Sequence, residues 1–333
     1  MHAIASSSPR ASSRLPPPRN TPARVYPYDR LREISDGFVQ IIEAWSCVPE
    51  DVIRLSTLAT DLVGLVDAAP QVCLGMGARL QIGSISMRHA LYAAIVGAQL
   101  ARIAQLEASR QLAVVKAAMV MNISSFQLQD DLAAPWASPS LGQRITLSRH
   151  PQLSAELIAS SPGADLRWIE AVEQHHEAMD GSGYPHALTG DEICLEARIL
   201  KVADLWCALV SPRPQRSGKS PREALHWMLS RHQQCLDPAI LDAQRRLSGN
   251  YPPGTLVRLA NREIALVTNW SRGNAPPRHV VALISAQNTL LRDPSVRDTG
   301  KSAYAVRSYS FLPQIEIKPA FWNRVWSMEC AAD

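Results

Sequence analysis

Apolar side chains recur at helical spacing from the first tyrosine-rich turn onward. Leu31, Ile34, Phe38, Ile41, Ile42 and Trp45 form one stripe, and Leu55, Leu58, Leu62 and Leu65 form a second. This is the repeat of helices that bury one face. The same spacing predicts a third helix over about 87–105 and a fourth over about 109–123, with a short polar break between them. Leu153 and Leu157 ahead of Ser160-Ser161-Pro162-Gly163 mark a fifth, with His150 at its start, and Leu166, Ile169, Val172 and His176 share one face of a sixth. That helix should stop at Asp180-Gly181-Ser182-Gly183-Tyr184-Pro185, where two glycines and a proline favour a turn. Further helices are expected over 197–209 and 222–229. After Tyr251-Pro252-Pro253-Gly254 the period falls to two, through Val257 and Leu259, then Ile264, Leu266 and Thr268, then 279–286. The expected fold is mainly α, a helical bundle with N-terminal helices and a small β-rich C-terminal module, for which a barrel is one arrangement.

Composition adds three constraints. With 333 residues, 46% of them hydrophobic, the chain has enough apolar surface for about two cored domains, which excludes global disorder. The longest apolar stretches, such as Leu112 to Ile123, are broken by charges such as Lys116, so no membrane span is expected. The first 28 residues carry Arg10, Arg14, Arg19 and Arg24 and no acid; with those four set aside, the 34 basic residues fall level with the 30 acidic ones. A near-neutral body argues against nucleic acid as a partner. Residues 1–27 read as a disordered basic tail, since no apolar stretch follows the arginines to make a secretory leader. The six cysteines are scattered, as expected of reduced thiols in a cytoplasmic protein.

The histidines are unevenly spread, with His89 in the third helix, His150 in the fifth and the pair His175-His176 ending the sixth. Neutral imidazoles from several helices can converge on one divalent ion, and a carboxylate such as Asp204 can complete the shell. A buried histidine bonded to a carbonyl is the commoner situation, so each one alone has a structural explanation.

The string His175-His176-Glu177-Ala178-Met179-Asp180-Gly181-Ser182-Gly183-Tyr184-Pro185, with Asp204, Arg213 and Asp237-Pro238 following in order, changes that balance. It resembles the HD-GYP family, a branch of the HD-type metal phosphohydrolases that cleaves the bacterial messenger cyclic di-GMP. The resemblance implies an HD-type helical bundle over 85–248, preceded by a helical region over 28–84 and followed by the β-rich module over 249–333. It places metal ligands at His89, His150, His175, His176 and Asp204. It also implies a ligand-binding surface from Gly183, Tyr184 and Pro185 with Arg213 and Arg216, where arginine suits phosphate and tyrosine can stack on guanine.

Four departures from that pattern stand out. The family's name-giving His-Asp pair, expected in the fourth helix, reads Met121-Asn122 here, and the family's following lysine is Ser125. An acidic position before the first histidine is Ile85, and Cys207 stands where a further aspartate is usual. In the family the aspartate of the pair bridges two cations, and a neutral amide cannot hold two dications about 3.5–4 Å apart. The two-metal centre is therefore expected to be lost. Two readings remain open: one divalent metal (iron, manganese or another) on His150, His175 and His176, with Asn122 offering a carbonyl oxygen, or histidines held only by packing.

Three functions follow. The first is a metal-dependent cyclic di-GMP phosphodiesterase using the remaining histidines. The second, favoured by the lost bridge and the kept Gly-Tyr-Pro loop, is a regulator that binds cyclic di-GMP or docks on a signalling partner such as a diguanylate cyclase, with weak or no hydrolysis. The third is a structural regulator with an empty pocket. The helices ahead of residue 80 either brace the domain or pair two copies as a homodimer, and the sequence does not choose.

Overall fold

The computed structural model describes residues 25–133, 138–212, 217–271, 275–313 and 315–328. Its helices are α1 (Pro27–Glu43), α2 (Pro49–Ala68), α3 (Pro70–Gly77), α4 (Ile85–Ile103), α5 (Ala108–Val120), α6 (Phe126–Leu132), α7 (Leu141–Ala159), α8 (Leu166–Gln174), α9 (Leu195–Val210), α10 (Pro221–Arg231), α11 (Pro238–Ser248) and α12 (Pro319–Trp326). Five strands precede α12: β1 (Leu256–Leu259), β2 (Ile264–Leu266), β3 (His279–Ile284), β4 (Leu290–Asp298) and β5 (Val306–Tyr309). The mainly helical expectation holds.

The axis of the bundle is α4. From Ala90 to Ala101 every residue is buried, so this helix has no polar face to offer water and must be surrounded. It is packed against α5, α9 and α11, with α1, α2 and α3 also in contact. Small residues let the neighbours come close: a Cβ on Gly97 would lie 3.1 Å from the Val114 side chain of α5. Ser84 starts α4 by accepting the Met87 N–H, which satisfies one donor of the first turn.

The placement of α8 against α5 depends on one buried cation. Lys116 Nζ donates to Asp165 Oδ2 at 2.5 Å and sits 4.7 Å from the centre of the fully buried Trp168 ring. Asp165 also accepts the Trp168 N–H and so caps α8. The carboxylate and the aromatic face replace the water that the ammonium gives up on burial.

The strands form one antiparallel sheet in the order β4-β3-β2-β1-β5. Among the described residues β4 and β5 are edges, so the sheet does not close into a barrel. One face, with Leu256, Ile264, Leu266, Val281 and Leu283, joins the core of the helices, and the other holds a smaller cluster around Val257, Val267 and Val280. The last helix returns to the first, where Asn323 Nδ2 donates to Asp29 Oδ2 at 2.7 Å.

Several expected boundaries shift. Helix α1 ends at Glu43, so Trp45 lies beyond it, and α3, α11 and α12 were not read from the pattern. Each of these three starts on a proline and is short, with too few turns to show a repeat. His150 lies inside α7 rather than at its start, because Pro151 is tolerated within the helix. No helix of the described residues is long and apolar enough to cross a membrane.

Truncating Ile95, which is fully buried on α4, should lower the unfolding free energy by about 2–5 kcal/mol for Ile95→Ala in denaturant titration. Leu166→Ala, at an exposed position, should change it by less than about 0.5 kcal/mol. Equal losses at the two positions would contradict the central place of α4.

Candidate metal centre

Two breaks in helical hydrogen bonding set the histidines. Pro151 has no N–H to give to the Leu147 carbonyl one turn back, and the His150 ring takes that acceptor instead, Nδ1 to oxygen 2.6 Å. Helix α8 ends at Gln174, which leaves its last carbonyls without intrahelical partners, and the His175 ring takes the Val172 oxygen, also at 2.6 Å. A carbonyl only accepts, so each ring carries its proton on Nδ1 and presents an Nε2 lone pair. The two Nε2 atoms face each other 3.2 Å apart.

His176 completes the group, and one ligand nitrogen from each of the three rings lies within 4.8 Å of the others. Burial pushes the pKa of His150 below its ordinary value. Burial, then the neighbouring His176 and His150, push His175 well down. Burial takes His176 to about 3 against the pull of the Asp204 carboxylate. All three rings are therefore neutral near pH 7. Neutral imidazoles with lone pairs pointed at each other repel unless a cation lies between them, so this donor set fits a divalent metal of intermediate softness.

His89 and Asp204 form a separate pair, Nε2 to Oδ1 at 2.7 Å, which joins α4 to α9. Burial alone would raise the Asp204 carboxyl. The His89 hydrogen bond and charge, with His176 and His175 beyond, outweigh it and hold the group well below the usual carboxylate range. The five ligand positions expected from sequence are thus arranged as a triad and a neighbouring pair.

Among the departures from the family pattern, Met121, Asn122 and Ser125 follow the end of α5, the last of them in a short 3-10 turn over Ile123–Ser125. Met121 follows the last residue of α5, is fully buried and packs in the core. Asn122 is buried and its Oδ1 accepts from Gln129 Nε2 at 3.1 Å, while Ser125 Oγ accepts from the same amide at 2.9 Å and donates to the Asn122 carbonyl at 3.1 Å. One lone pair of the Asn122 side-chain oxygen is therefore already used. Gln129 was not singled out by sequence, although its position one helical turn past Ser125 is the available signal.

The loop after α8 is built around Glu177. Its two carboxylate oxygens accept the backbone N–H groups of His186 at 2.6 Å and Leu188 at 3.0 Å. Glu177 is therefore a clamp on the loop, a role the sequence did not reveal. Gly183 passes so close to the helix end that a Cβ there would meet Ala178 N at 2.4 Å. Gly181 has φ of +76°, in the left-handed region that glycine adopts freely. Tyr184, followed by a cis bond to Pro185, stacks on His176 with ring centres 4.8 Å apart and planes 17° apart. One face of the tyrosine is thus taken by a metal-centre ring. Lys201 Nζ holds the His176 carbonyl at 2.7 Å. Arg213 and Arg216 lie outside the described residues.

Cys207 is fully buried, and burial pushes its thiol far above the ordinary value, so it remains protonated in the core. Asp237 caps α11 through the Ala239 and Ile240 N–H groups and pairs with Arg198 at 3.1 Å, a structural use.

Comparison with known proteins bears on the family and the fold. The family model described as HD domain matches residues 65–240. A cyclic di-GMP phosphodiesterase of Pseudomonas aeruginosa is 30% identical over 165 residues, covering 50% of this chain and 40% of that protein. The cyclic di-GMP phosphodiesterase response regulator RpfG of Xanthomonas campestris is 38% identical over 104 residues, covering 30% of this chain and 27% of that one. The chain thus spans less than half the length of either relative. Among solved structures, Bd1817, an HDG"Y"P protein from Bdellovibrio bacteriovorus, superposes with a TM-score of 0.56 at 15% identity, over 68% of this chain and 74% of the other, a likeness of fold. Matched by that family model over more than half of its residues, the chain belongs to the HD domain family.

Proposed function

We propose that this protein acts in cyclic di-GMP signalling, holding one divalent metal on His150, His175 and His176 and binding the dinucleotide or a partner such as a diguanylate cyclase, with weak or no hydrolysis. The observation that carries this reading is a neutral Met121-Asn122 step beside a three-histidine cluster with its lone pairs turned inward. A second dication needs a bridging anion to offset its repulsion from the first, and the Asn122, Ser125 and Gln129 net supplies no charge. When bound, a single metal supplies Lewis acidity toward a phosphate oxygen. Tyr184 is fixed beside the histidines by its stack on His176 and by the Glu177 clamp, and Gly183, Tyr184 and Pro185 are the described part of the nucleotide surface, to which the family resemblance adds Arg213 and Arg216. The relatives named as cyclic di-GMP phosphodiesterases support the choice of ligand.

The ionised Asp204 facing the histidines favours a second reading, in which the remaining ligands still support a cyclic di-GMP phosphodiesterase. Anaerobic incubation of iron- or manganese-loaded protein with cyclic di-GMP separates the two. The regulator predicts a saturable binding isotherm and no product on chromatography. Product that vanishes in His175→Ala would establish the enzyme, and no binding by folded protein would remove the dinucleotide from the proposal.

Elemental analysis should find one metal per chain, lost in His175→Ala and raised toward two in the double variant Met121→His, Asn122→Asp. An unchanged count in the double variant would show that the bridging pair is not what limits the site. Pro151→Ala restores a backbone donor to the Leu147 oxygen and competes with the His150 ring for it. It should weaken metal binding by about tenfold in a competition titration, within the usual range for supporting hydrogen bonds. An unchanged affinity would show that the proline is incidental.

A further inference from the structure

A cavity of about 620 Å3 lies away from the histidines, where α3, α4 and α9 meet the chain leading into β1 and the segment after β5. Its size suits a metabolite or drug-sized molecule. Its floor is fixed by a backbone contact: Gly254, with φ of +94°, lies against Gly75 of α3 so closely that a Cβ on it would be 2.5 Å from the Gly75 Cα. A wall set by backbone cannot collapse into the space by a rotamer change, so the cavity is preformed.

The charge in the lining is one-sided. Arg79 and Lys219 both face it, and no aspartate or glutamate is found among its described lining residues. Among the described residues the Arg79 side chain makes one hydrogen bond, from Nη1 to the Gly75 carbonyl at 2.8 Å, and no carboxylate pairs with it. Three other sheltered arginines are matched with acids: Arg110 with Glu196 at 2.7 Å, Arg198 with Asp237 at 3.1 Å and Arg297 with Glu263 at 2.8 Å. Burial pushes the Arg79 guanidinium down to about 10, which still leaves it charged at neutral pH. A sheltered cation without a counter-ion is costly, and an anion brought to it recovers that cost. Around these cations the wall is apolar and aromatic, including Tyr92, Phe311 and Trp322.

We infer that this cavity is a second ligand site, separate from the histidine cluster, for a small organic anion: an acidic headgroup held by Arg79 and Lys219 on an apolar or aromatic body. Bidentate contact from a guanidinium suits a carboxylate, sulfonate or phosphate headgroup. The site is independent of any reading of the metal centre.

Two fluorescent probes with the same aromatic body test it on the full chain: anilinonaphthalenesulfonate, which is anionic, and N-phenylnaphthylamine, which lacks the sulfonate. The anionic probe should bind saturably, once per chain, at least about tenfold more tightly than the neutral one. Arg79→Gln should remove that advantage and leave the affinity of the neutral probe unchanged, with near-ultraviolet circular dichroism confirming the native fold. Should Arg79→Gln fail to fold, Lys219→Glu provides the same comparison, since among the described residues Lys219 is held by its backbone N–H to the Leu209 carbonyl and not by its side chain. Equal affinity for the two probes, absence of a saturable site, or an anionic-probe affinity unmoved by a folded variant would overturn the inference.

Discussion

The arrangement of the site depends on two hydrogen bonds from imidazole Nδ1 to backbone carbonyls. Each exists because a helix fails to use that carbonyl itself, at Pro151 in one case and at the end of α8 in the other. The consequence is chemical, since the tautomer is fixed and the Nε2 lone pairs are aimed before any ligand arrives. An ordinary helix carrying the same histidines would leave the rings free to rotate and the tautomer unset. Burial adds to this by keeping the rings neutral, the form that can donate a lone pair.

Around that pair of bonds the fold supplies rigidity from several directions. Helix α4 runs through the middle and carries His89, Lys116 ties α8 to α5, and Lys201 on α9 reaches the carbonyl of His176. Glu177, next in sequence to the paired histidines, turns away from them and fixes the loop that brings Tyr184 back over His176. The histidines and the loop are therefore mechanically one unit. Charge is distributed with the same economy, since Asp204 is the carboxylate that faces the cluster and it is already paired with His89.

Much of this was legible in the sequence, for identifiable reasons. Long amphipathic helices announced themselves by stripes such as Leu55 to Leu65, and the histidine string fixed the family resemblance because several unusual residues occur in order. What stayed hidden depends on three-dimensional partners. Nothing in the pattern shows that Pro151 sits inside a helix, that Glu177 bonds amides nine and more residues away, or that Gln129 reaches back to Asn122. Trp45 was assigned to a helix by spacing alone, whereas the chain turns at Ala44 just before it. That no carboxylate among the described residues pairs with Arg79 was equally invisible, since the lack of a counter-ion is a property of the packed molecule.

The contact between Asn323 and Asp29 has a consequence for synthesis. Helix α1 meets α12 across a separation of 294 residues, from Asp29 to Asn323. At a ribosomal pace of about 5–20 residues per second, the first helix waits on the order of 15–60 s for the last to cover it. During that interval the early neighbours α2, α3 and α4 shelter the apolar stripe of α1, which gives the nascent chain a reason to complete the helical bundle before its C-terminal sheet is available.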